Sequence, residues 1–288
     1  MSYLQKSSCI VFDISKITHP LRKGFIPSKP NPIMHFTVKY SKDWTRIYQI
    51  YDAIHHNRLE SYLDTLQSAD ESKLKEAFDM IHSKESILLN FLKDDNRPPE
   101  CSKILDLIPP LKETYWSHVS ELFKKWAPQV EEKLNEFGKK ADNEIERLFG
   151  VRPSPEFLVA LSHNKASANS IHGQQLSNEP FLNMQITEGK PLMAHIDVAF
   201  HEVIHYVLRI NGWKKKFKSD NLEEAFIKLI APRGILSERL GIHKCEIAIT
   251  EDKRCNKEID FLRPHILEYY SSNSSGNILN FLERKKVL

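Results

Sequence analysis

Glycine is scarce in this chain: nine in 288 residues, with none between Gly24 and Gly138. That excludes collagen-like and linker-dominated architectures and points to a largely helical protein. Cysteine is scarcer still. Cys9, Cys101, Cys245 and Cys255 show no CxxC spacing, which excludes a disulfide-stapled miniprotein and predicts a reduced, cytoplasmic setting. No apolar run approaches the ~18 residues that span a bilayer, so no membrane segment is expected. Net charge is also small. With 41 basic against 38 acidic residues the balance is +3, too little to announce a nucleic-acid partner. Met1–Asp13 carries no signal peptide, because the apolar stretch Cys9–Phe12 stops at Asp13. Export by a route that reads no N-terminal signal stays open.

What the chain does contain is enough apolar residue, 41%, for one large domain or two modest ones. Ser8–Ile14 is a short apolar run. Ile33–Tyr40 alternates, with Met34, Phe36, Val38 and Tyr40 on one face, which predicts a half-buried strand. From Lys42 to about Phe149 the period becomes helical: Trp44, Ile47, Tyr48 and Tyr51 recur at three- and four-residue steps. Breaks fall at Arg97-Pro98-Pro99 and Pro109-Pro110. A bundle of four or five helices is expected there, closed by Gly150, with Glu131–Arg147 as a solvated helix face. Beyond Pro155, Phe157–Leu161 reads as a strand, Ser162–Gln175 as a polar loop and Phe181–Thr187 as a second alternating strand. Helices are predicted over Ile196–Asn211 and Asn221–Ala231. The expected division is 1–150, short strands and helical bundle, and 151–288, a catalytic domain. If the strand at Ile33–Tyr40 joins the catalytic sheet, that boundary fails.

One motif carries chemistry. His201-Glu202-Val203-Ile204-His205 is HExxH. Two histidines four apart on a helix share a face, so both imidazoles can reach one metal ion, and the intervening glutamate can serve as base toward water there. Val198, Ala199, Phe200, Val203, Ile204, Tyr206 and Val207 make the surrounding helix nearly apolar. A helix apolar on most sides is buried, and buried polar groups require compensation. A metal provides it; a hydrogen-bonded core histidine pair is the bland alternative. The helix should end at Asn211-Gly212. A basic loop, Trp213–Ser219, leads to a second helix capped by Asp220 or Asn221. With Asp220 as cap, Glu223 fills a capping-box position. Glu224, separated from His205 by eighteen residues, is then free to face the metal; Glu223 is the competing ligand.

From Val198 to Phe226 the chain resembles the gluzincin metallopeptidases, whose pattern is HExxH followed about eighteen residues later by a glutamate. Leu222-Glu223-Glu224-Ala225-Phe226 looks like the Leu-Asn-Glu-Gly-Phe segment of the aminopeptidase branch. The resemblance implies His201, His205 and Glu224 as zinc ligands and Glu202 as general base. It departs from that branch in lacking a Gly-x-Met-Glu-Asn segment, so no clamp for a substrate amine is implied. It also suggests that Asn183–Thr187 is an edge strand binding substrate backbone by β-augmentation; an ordinary internal strand is the alternative. For the oxyanion donor that such a reaction uses, His265 and Tyr269 are the candidates, on one face of a helix, with Tyr270 and His243 behind them.

The expected fold class is therefore α+β and mostly helical: a thermolysin-like catalytic domain with a small sheet, plus a helical-bundle region. The expected activity is zinc-dependent hydrolysis of a peptide or protein substrate. A zinc hydrolase of non-peptide amides or esters and a non-enzymatic helical binding protein are the alternatives.

Overall fold

The computed structural model describes residues 33–92, 97–153, 156–163, 165, 172–175, 179–272 and 276–288. The apolar run at Ser8–Ile14 lies outside them, as does Cys9. Strand β1 (His35–Lys39) leads into α1 (Lys42–His55), α2 (Glu60–Leu63), α3 (Glu71–His82), a 3₁₀ segment at Glu85–Leu92, α4 (Pro99–Leu107) and α5 (Glu113–Phe149). Then come β2 (Glu156–His163), β3 (His172–Gln175), β4 (Phe181–Ile186) and α6 (Leu192–Ile210). The chain ends with α7 (Asp220–Ile230), α8 (Ile235–Leu240), α9 (Asn256–Ser271) and α10 (Ile278–Arg284). The protein is α+β and mostly helical.

Local chemistry sets the helix limits. The Ser41 side chain accepts from the Trp44 amide at the start of α1, and Asp70 does the same for Ser72 and Lys73 at α3. Pro99 occupies the first turn of α4. The 37 residues of α5 run for about 55 Å and end at Gly150, whose φ of +74° suits the left-handed cap.

The sheet order is β1-β2-β4-β3. β1, β2 and β4 are parallel, and β3 runs antiparallel along the outer side of β4. Helices cover both faces. On one, Phe36 meets Phe200 of α6 edge-on at 6.0 Å, within a core built with Leu182, Met184 and Ile186. On the other, Phe181 meets Trp44 of α1 at 5.5 Å.

Three expectations change here. β1 pairs with β2, His35 opposite Glu156, and residues 33–288 form one compact unit. The boundary at 150/151 therefore divides nothing, because the sheet takes its first strand from before the helical region. Second, β4 is internal, paired on both sides, so Asn183–Thr187 is not the edge. Its polar residues Asn183 and Gln185 are buried beneath α1, which is why their alternation resembles a solvated face. Third, Ser162–Gln175 is not simply a loop: it contains the end of β2 and all of β3. β3 is the true edge on that side, and it packs against α6.

The opposite edge is closed by α5. The Phe36 amide donates to Asn135 Oδ1 at 2.9 Å, the Asn135 amide returns a bond to the Phe36 carbonyl, and the Val38 amide donates to Glu131 Oε2 at 2.7 Å. Part of the presumed solvated face of α5 thus caps an edge strand. Among the described residues no helix is long and apolar enough to cross a membrane.

Candidate metal centre

α6 is locked to the sheet at its first turn. His195 Nδ1 donates to the Pro191 carbonyl at 3.0 Å, and its Nε2 accepts from the Thr187 amide at 3.0 Å. A ring that donates at one nitrogen and accepts at the other is neutral, and burial holds its pKa below the ordinary value. From there the helix presents Asp197, His201 and His205 at four-residue steps on one face. It ends at Asn211, followed by Gly212 with φ +65°, as the sequence predicts.

His201 is 6% exposed, and its Nδ1 donates to the Ala231 carbonyl at 2.8 Å. His205 Nδ1 lies 3.2 Å from Glu223 Oε1. With both Nδ1–H groups engaged, both Nε2 atoms present lone pairs. They lie 3.2 Å apart, and Glu224 Oε2 stands 3.2 Å from His205 Nε2 and 3.7 Å from His201 Nε2. Three acceptors thus converge with no donor of their own, an arrangement that requires a cation. A tetrahedral zinc ion bound at about 2.0–2.1 Å sets its ligand atoms about 3.3 Å apart, so the triangle has the size and the donor set that zinc takes. Without a metal, a proton serves. Burial alone would lower the His205 pKa, but the Glu223 and Glu224 carboxylates outweigh it and raise the value to about 9. Burial opposes ionisation of Glu224 as well, yet His201, His205 and Lys228 hold its carboxyl far below the usual range.

Glu202 is buried at 6% exposure. Its Oε1 lies 3.9 Å from His201 Nε2, beside the triangle and not part of it, where a base belongs.

The supports come mostly from α7 and the turn after it. Ser219, not Asp220 or Asn221, caps α7 by accepting from the Leu222 amide. Glu223 consequently makes no capping box. It is buried and partners His205, while Glu224 joins the ligand triangle. Lys228, one turn on, holds Glu224 Oε1 at 3.1 Å and is itself held by Asp252 at 3.1 Å. Asp197 accepts from the Arg233 amide at 2.8 Å and from the Ser237 hydroxyl at 2.5 Å. These bonds pin the turn that carries the Ala231 carbonyl to α6.

The structure does not bring His265 or Tyr269 to this centre. Tyr269 is drawn into the core with Ile259, Leu262 and Ile266. Its hydroxyl donates to the Gly276 carbonyl at 2.8 Å, and its ring packs on Phe281. His265 sits against Phe261 and does not line the cavity beside His205. Tyr270 bonds Glu238. His243 approaches Asp197 at 3.9 Å, one helical turn from the ligands. Sequence reasoning missed Asp197, the Ala231 carbonyl and Lys228, and gave Glu223 the wrong task. The visible signals were Asp197 and Lys228 themselves, each one turn from a ligand.

No family model matches the sequence, and no curated protein and no solved structure matches the chain.

Proposed function

We propose that this chain is a zinc-dependent peptidase with a thermolysin-like catalytic arrangement. The observation that carries the reading is the convergence of His201 Nε2, His205 Nε2 and Glu224 Oε2, each fixed from behind by its own partner. Histidines oriented through their second nitrogen and a carboxylate held at its second oxygen are the supports that metal ligands need. Zinc bound there supplies a Lewis acid toward a carbonyl oxygen and makes a water acidic enough to ionise near neutral pH.

The chain's own residues do the rest. With their Nδ1–H groups donated to the Ala231 carbonyl and to Glu223, His201 and His205 would offer Nε2 to the metal in place of the proton that His205 otherwise takes up. Glu202 is placed to take the proton of the attacking water and hand it to the departing amine. β3, last in the order of the described strands and antiparallel to β4, would offer a backbone edge along which an extended peptide could pair. A peptide or protein substrate is favoured for that reason over a small amide or ester.

Elemental analysis should find about one zinc per chain in the wild type and a loss of it in His201→Ala and Glu224→Ala. Glu202→Gln should keep the zinc while peptide turnover falls at least about a hundredfold. A folded wild type that takes up no zinc, or a Glu202→Gln variant that cleaves a peptide mixture at the wild-type rate, would overturn the reading.

A further inference from the structure

The basic loop between α6 and α7 has no task in the scheme above, and it borders the centre directly. A cavity of about 260 Å³ opens off His205 and Glu224, with Arg209, Lys214 and Arg254 in its wall. A second hollow of about 570 Å³ shares Lys214 and Asp220 with it and is lined also by Lys215, Phe217 and Lys218.

The signs of charge are unevenly available. Glu224 is turned to the ligand triangle and Lys228, and Glu223 is buried against His205. Asp220 alone is open, and it faces Lys214 at 3.2 Å. Lys214 is shared between Asp220 and Glu223, the latter at 3.7 Å. Arg254 is 69% exposed and holds Glu224 and Asp252 only at 3.7 and 3.4 Å, longer than good charge-assisted bonds. Among the described residues Lys215 and Lys218 have no ion-pair partner, and both are exposed. The inner carboxylates are engaged at the centre, whereas Lys215 and Lys218 keep no acidic partner among the described residues and Arg254 keeps only long ones. A divalent ion in the triangle tips the balance further.

We propose that this trough takes carboxylates of the substrate, so that the enzyme cleaves peptides bearing an acidic group on one side of the scissile bond. The inference rests on the peptidase reading of the same centre. Arg254 meets the first carboxylate within the smaller cavity, where its planar guanidinium can bond both oxygens. Lys214, Lys215 and Lys218 receive further acidic residues along the larger hollow.

The test uses the zinc-loaded full chain and two hydroxamates of equal length, succinic monohydroxamate and its neutral carboxamide analogue. Both anchor on the metal, so their ratio reads the trough alone. The carboxylate compound should bind about tenfold tighter, the worth of one good charged contact. That advantage should disappear in Arg254→Gln and shrink in Lys214→Gln at unchanged zinc content. Equal binding of the two compounds by the wild type overturns the trough and leaves the metal centre standing. Failure of both to bind a zinc-replete protein removes the centre and the trough together. A second arm gives the source of the carboxylate. Faster cleavage of amidated peptides with a Glu side chain assigns it to side chains, and faster cleavage of neutral peptides with a free C-terminus assigns it to the chain end. No preference in either set, with cleavage intact, again overturns the proposal.

Discussion

His205 and Glu223 form a part-buried pair, Nδ1 to Oε1 at 3.2 Å, between residues eighteen positions apart on the two helices that carry the candidate metal ligands. The carboxylate fixes the ring's tautomer and its aim. Glu223→Gln should therefore weaken zinc binding by about 10–100-fold while leaving all three ligands in place. Competition against a chromophoric chelator measures the change. Unaltered affinity would mean that the pair is only packing.

Asp197 makes two bonds to the turn that carries the Ala231 carbonyl. An amide there keeps only one acceptor oxygen for two donors, so either the Arg233 N–H loses its bond or the Ser237 hydroxyl must turn round to accept. Asp197→Asn is expected to cost about 1–3 kcal/mol in urea unfolding of the metal-free protein and to loosen zinc binding through His201. An unchanged midpoint would remove Asp197 from this role.

The grouping of His201, His205 and Glu224 was legible in the sequence largely because of one period: four-residue spacing puts His201 and His205 on a face wherever the helix begins. Gly212 marked its end. The choice between Glu223 and Glu224 is harder, since one residue turns a helix by about 100°, and the helix is capped by Ser219 and not by the expected Asp220 or Asn221. β3 was invisible for another reason. Gly173, Gln174 and Gln175 show no apolar alternation, and the strand exists through its pairing with β4. For Tyr269 the helical face was read correctly, but which body that face meets is tertiary information.

Burial depresses the pKa of His195 below its usual value of about 6.5. The unfolded chain then takes up a proton first as pH falls. Stability attached to this residue is intact above about pH 6.5, declines below it, and levels off beneath the folded-state pKa. The His195 share of the urea midpoint of the metal-free protein should drop between pH 7.5 and 5.5, while His205, with its raised pKa, contributes in the opposite sense. His195→Gln, which can still accept from the Thr187 amide, should flatten that drop; an identical slope in the variant would refute the assignment.

Gly138 sits where α5 crosses β1, and an added Cβ would stand 2.4 Å from the Met34 carbonyl oxygen. Alanine gains about 1 kcal/mol in helix propensity, but the overlap with backbone costs more, about 1–3 kcal/mol. Gly138→Ala should therefore lower stability, by up to about 2 kcal/mol. A more stable variant would show that the helix can draw back without loss.

Every group that builds the centre, from Asp197 to Arg233, with Asp252 as the outermost support, comes from one short stretch of chain, whereas β1 finds its partner only when His35 meets Glu156. Closing the first set of contacts loses little chain entropy, and closing the second loses more. The order of assembly follows: α6 and α7 should clasp before the sheet is complete, so the ligands come together ahead of the strand that finishes the fold. Pulse-labelled hydrogen exchange during refolding would register this as amides of α6 protected earlier than those of β1, and the reverse order would exclude it.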